Sequence, residues 1–87
     1  MAVTPSEIIE IKEKVRLMKD KDLQSNKSVL LFTLDQALGV GDTGKTLDKI
    51  IEEIVWIDCR LEGYAETGMK SWWFRSKSRL KYFKQNR

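Results

Sequence analysis

The residues best suited to chemistry lie near the C-terminal end of the chain, and the chemistry they suit is recognition. Cations and rings alternate there: Lys70, Trp72, Trp73, Arg75, Lys77, Arg79, Lys81, Tyr82, Lys84 and Arg87. Lysine and arginine release counterions from phosphates, and an exposed ring offers a platform on which an unpaired base stacks. Residues 67–87 carry seven basic residues and no acid, whereas residues 1–66 carry nine basic and thirteen acidic residues, giving +7 and −4. An acidic body with so one-signed a tail points to an electrostatic partner. These ten residues form the predicted binding set, with DNA or RNA as the favoured partner and an acidic protein surface as the alternative. A basic, ring-bearing helix also suits an anionic membrane surface.

Little else in the chain suggests reactivity. Glu52 and Glu53 are adjacent, point apart on a helix, and have no histidine, cysteine or serine constellation nearby for acid–base work. The 87 residues include no histidine and one cysteine, Cys59, so neither an intramolecular disulfide nor a metal site is expected, and no cofactor. Although Arg60 adjoins Cys59, a lone helical cysteine is expected to be inert packing. Asp58 falls inside an apolar stripe and is expected to meet a basic residue or a backbone donor. The reading is of a non-enzymatic protein.

Two local patterns bear on function. Gly39-Val40-Gly41-Asp42-Thr43-Gly44-Lys45-Thr46 matches the phosphate-loop pattern G-x-x-x-x-G-K-[ST], and Ile54-Val55-Trp56-Ile57-Asp58 imitates the strand that would hold a magnesium aspartate. Such a loop joins a buried strand directly to a helix; here Asp35 to Leu38 intervene, and the second segment lies within a helical stripe. A glycine-capped helix end followed by a new helix is the expected structure. Ala37-Leu38-Gly39-Val40-Gly41 also resembles the turn of a helix-turn-helix. The following helix then carries Lys45 and Asp48 where apolar residues should pack, and Asp48, Glu52 and Glu53 would repel phosphate.

Helices are expected to position these residues. Thr4-Pro5-Ser6-Glu7 reads as a capping box opening a first helix, whose dry face is Ile8, Ile11, Val15 and Met18. Ser25 to Ser28 reads as a connection, after which Leu31, Leu34 and Leu38 share one side of a second helix. The segment Val29 to Leu34 also reads as a strand, but one short strand has nothing to pair with. Leu47, Ile50, Ile51, Ile54, Ile57 and Leu61 trace a third helix. Its stripe continues through Ala65, Trp72 and Phe83, so the third and fourth helices read either as one rod or as a pair broken near Gly63 and Gly68. A rod from Thr46 to Lys84 would be about 60 Å long and would need a kink near Gly68 or a dimer along its length. Aromatic residues at helical spacing usually belong to a core, which favours burial for Trp72, Trp73 and Phe83.

The expected fold class is all-α: a small bundle of three to four helices with a long C-terminal helix or kinked helix pair. Connections are expected near residues 24–28, 39–45 and 66–70. The chain reads as one domain, 1–87, with an acidic body over 1–66 and a basic aromatic helix over 67–87. A core this small is marginal, because a chain of this size buries only about three-fifths of its unfolded surface. A homodimer is therefore expected. With no long apolar stretch and no signal-peptide pattern, a cytoplasmic location is expected.

Overall fold

The computed structural model describes residues 3–39, 44–65 and 67–85, with only the backbone described at Lys45, Lys84 and Gln85. Four helices are described: α1 (Pro5–Leu17), α2 (Asp20–Gly39), α3 (Lys45–Leu61) and α4 (Met69–Gln85). No helix among the described residues is long and apolar enough to cross a membrane.

The capping box at Thr4 forms as expected. Its side chain accepts from the Glu7 amide at 3.3 Å, and its own amide donates to Glu7 Oε1 at 3.0 Å. Ile11 and Val15 are buried, with Ile8 and Met18 packed beside them. Met18 turns extended and ends the helix.

The expected connection at residues 24–28 does not exist; α2 begins at Asp20 and runs through it. Asp20 and Asp22 sit in the first turn, where carboxylates favour the positive end of the helix. The polar residues that resemble a linker bond back along the helix. Asn26 Nδ2 donates to the Asp22 carbonyl at 2.7 Å, Ser25 Oγ to the same carbonyl at 3.2 Å, and Ser28 Oγ to that of Gln24 at 3.1 Å. Leu23 is buried one turn ahead of them and anchors the added length.

The helix α3 is the centre of the molecule. Each of α1, α2 and α4 packs on it, and no other pair of helices among the described residues comes into close backbone contact. Two clusters result. One joins Ile11, Val15 and Leu23 to Trp56 and Ile57; the other joins Leu34 and Tyr82 to Ile51, Ile54 and Val55. Leu30 of α2 packs against both.

The stripe shared by α3 and α4 is not one rod. With a longest extent of 34 Å, the fold is about half as long as such a rod would be. The break is a Schellman turn: the Tyr64 amide donates to the Cys59 carbonyl and the Gly63 amide to that of Arg60, both at 3.0 Å. Gly63 has φ +80, and Tyr64 stacks on Phe74 of α4 with centroids 4.7 Å apart. α4 therefore folds back along α3.

Polar groups fix the helix pairs. Asp58 is an ion-pair partner as expected, receiving Lys27 Nζ of α2 at 2.6 Å and the Tyr82 hydroxyl of α4 at 2.6 Å. One carboxylate thus ties three helices. Replacing it by alanine should lower the free energy of unfolding by about 1–3 kcal/mol in a urea titration, because the buried Tyr82 hydroxyl and the half-buried Lys27 lose their acceptor. Gly63→Ala should cost about 1–2 kcal/mol in the same assay. An added Cβ meets nothing within 4 Å, so that loss reports the left-handed backbone alone.

Candidate nucleic-acid interface

The inward face of α4 is not its aromatic face. Ser71, Arg75, Ser78 and Tyr82, at spacings of four, three and four, are the residues buried against α3. Two serines leave room for a close helix crossing, and Ser71 Oγ lies 3.3 Å from the buried Cys59 Sγ. Arg75 spreads its guanidinium over the Trp56 ring, 4.2 Å from the centroid, and donates to Ser71 Oγ. Arg79 grips Glu52 with both ends of its fork, Nε to Oε2 at 2.8 Å and Nη2 to Oε1 at 2.6 Å. The Glu52 hydrogen bond and charge together raise the Arg79 pKa despite burial, so the cation is held charged inside the interface. Trp56 Nε1 also donates to Glu52, at 3.1 Å. Burial and the bond to Asp58 push the Tyr82 hydroxyl above its ordinary range.

The faces turned to solvent hold what remains. Lys70, Trp73, Lys77 and Lys81 recur at three- and four-residue spacing and share one exposed stripe, with Lys77 Nζ 5.5 Å from the Trp73 ring centroid. Met69, Trp72 and Leu80 form an apolar strip beside it. Trp72 and Trp73 are 56% and 55% exposed and meet edge to face at 6.2 Å. The expectation that both indoles belong to the core therefore fails; Phe83 alone of the three is half-buried, against the cluster of Leu34, Ile54 and Tyr82. The physical reason is angular, since the buried quarter of the helix is already occupied by Ser71, Arg75, Ser78 and Tyr82.

Beside the lysine stripe lies a shallow hollow of about 310 Å³ lined by Tyr64, Lys70, Trp73, Phe74 and Lys77. Three rings and two cations meet there, with no carboxylate among the described residues of the lining. The Schellman turn at Gly63 creates it by bringing Tyr64 onto Phe74.

Of the ten residues expected to bind a partner, the structure gathers Lys70, Trp73 and Lys77 at the hollow, with Lys81 one turn further along. Trp72 lies on the neighbouring strip. Arg75, Arg79 and Tyr82 are committed to α3. The Lys84 side chain and Arg87 lie outside the described residues. The inward set was missed because hydrophobicity hides it; its only signal was helical spacing among Ser71, Arg75, Ser78 and Tyr82.

The two local patterns fare differently from the tail. Residues 40–43 of the phosphate-loop match lie outside the described residues, as does the Lys45 side chain, and what leads into its first glycine is α2 rather than a strand. In the helix-turn-helix reading α3 would enter the DNA groove, but α3 is the centre of the fold, with Ile51, Ile54, Val55, Trp56 and Ile57 buried. Among known proteins, no family model matches the chain, and neither the curated proteins nor the solved structures contain a significant match.

Proposed function

We propose that this is a non-enzymatic accessory or regulatory protein that binds single-stranded nucleic acid through the outer face of α4. The observation that carries the reading is the hollow in which Lys70 and Lys77 flank the rings of Tyr64, Trp73 and Phe74 with no acid among its described residues. An unpaired base stacks on an aromatic face whatever its sequence, while lysines on either side hold the backbone phosphates. A duplex would present only its phosphates, because its bases are already stacked, and among the described side chains α4 offers no fork for base edges once Arg75 and Arg79 are turned inward. Sequence tolerance is therefore expected.

The apolar strip of Met69, Trp72 and Leu80 supports a second role, docking to a larger protein, because such exposed apolar surface is characteristic of interaction sites. Both roles leave the chemistry to others.

Fluorescence anisotropy of labelled oligonucleotides tests the reading. Affinity for single strands should exceed that for duplex and fall steeply with salt. Changing Lys70, Lys77 and Lys81 together to glutamine should make the log–log salt slope shallower by about 2, since each phosphate contact on a single strand contributes about 0.7. Trp73→Ala should leave the slope unchanged while weakening binding by about 1–3 kcal/mol, the loss of one stacked base. Binding to anionic vesicles but to no oligonucleotide would overturn the assignment.

A further inference from the structure

α1 and α4 both lie against α3 near Trp56 without packing on each other, and an open groove of about 660 Å³ separates them. Its walls are apolar: Ile8 and Ile9 from α1, Met69 and Trp72 from α4. Three of these are strongly exposed, Ile9 at 65%, Met69 at 75% and Trp72 at 56%. Trp56 forms the floor. Lys12 reaches over that ring from α1 and Arg75 from α4, at 5.7 and 4.2 Å from its centroid, and among the described residues these are the charged groups of the lining.

On α4 a row of residues runs on past the groove's lining. Met69, Trp72, Ser76 and Leu80 follow one another at spacings of three, four and four, the periodicity of a helix-packing seam. It spans about three turns, or some 16 Å. The half-buried Ser76 midway is small enough for a second helix to approach closely.

The geometry points to this groove as the docking site for an amphipathic helix of a partner protein, one with an apolar seam flanked by acidic residues. A helix fits because the groove is bounded by two helices that leave an empty place in the bundle. Acidic flanks fit because the part-exposed Lys12 stands in the groove and no described residue of its lining is acidic. A second copy meeting groove to groove would bring Lys12 of one protomer to a groove that already holds Lys12 of the other, a like-charge arrangement that disfavours the symmetric dimer. Polynucleotide is disfavoured by the isoleucine and methionine walls, which offer phosphate no donor. This surface is distinct from the lysine stripe, so its occupation and nucleic-acid binding are separable.

The test uses the full chain and a panel of labelled helical peptides of about three turns that share a leucine seam and differ only in flanking charge, glutamate or lysine. Anisotropy should show the glutamate peptides binding at least tenfold more tightly than their lysine counterparts. Ile9→Ser with Met69→Ser should weaken that binding at least tenfold, and both positions are exposed enough for the fold to survive, as circular dichroism would verify. Lys12→Glu should abolish the charge preference, whereas Lys77→Gln with Lys81→Gln should leave peptide affinity unchanged. Equal affinity for both charge types, or no peptide binding below millimolar concentration, overturns the proposal. Self-association in sedimentation that Ile9→Ser with Met69→Ser removes would do the same by assigning the groove to a second copy.

Discussion

The constraint on which the structure depends is that one helix must serve as the packing partner of the other three. A helix surrounded on most sides has little solvent for its polar residues, so those of α3 need partners from its neighbours. Glu53 meets Lys14 of α1 at 3.2 Å, and Lys49 meets Glu7 at 3.2 Å. Arg60 donates to the Val15 and Met18 carbonyls at the end of α1, both at 2.7 Å, and to Asp20 at the start of α2 at 2.6 Å. Glu52 holds α4, and Asp58 holds α2 and α4 together. Apolar burial supplies the driving force, while these directional contacts select how each neighbouring helix sits.

The exposure of the indoles follows from that requirement. Glu52 and Trp56 present a carboxylate and a ring to α4, and Arg79 and Arg75 are the complementary groups. Once the arginines turn inward to meet them, Trp72 and Trp73 are carried outward by the helical repeat. The basic character of the tail divides accordingly between an inward-turned pair, Arg75 buried and Arg79 half-buried, that secures the helix and a lysine set that remains available to solvent.

Much of the fold was legible in the sequence because α1 and α3 follow simple rules. The Thr4 capping box, the Ile8–Met18 face and the stripe from Leu47 to Ile57 each contain a local signal that tertiary packing reinforces. The start of α2 was illegible because serine and asparagine serve equally in turns and in back-bonding to a helix, and only the buried Leu23 distinguishes the two. Asp58 could be read from the cost of burying its charge. The orientation of α4 could not be read from hydrophobicity, since three of the four residues on its inner face are serine or arginine. The hollow was likewise hidden, because Tyr64 and Phe74 are separated in sequence and meet only through the reversal at Gly63.

The position of α3 along the chain also shapes how the fold assembles. Its partners α2 and α4 are its immediate neighbours in sequence, so most of the packing is local, which favours rapid folding. α1 is the exception and must wait for a helix two places ahead. During synthesis, Ile11, Val15, Leu23 and Leu34 emerge before the surfaces that will cover them. A nascent chain paused before Lys45 therefore exposes the apolar side of two helices, the stage at which this protein is most open to capture by chaperones or by other unfinished chains.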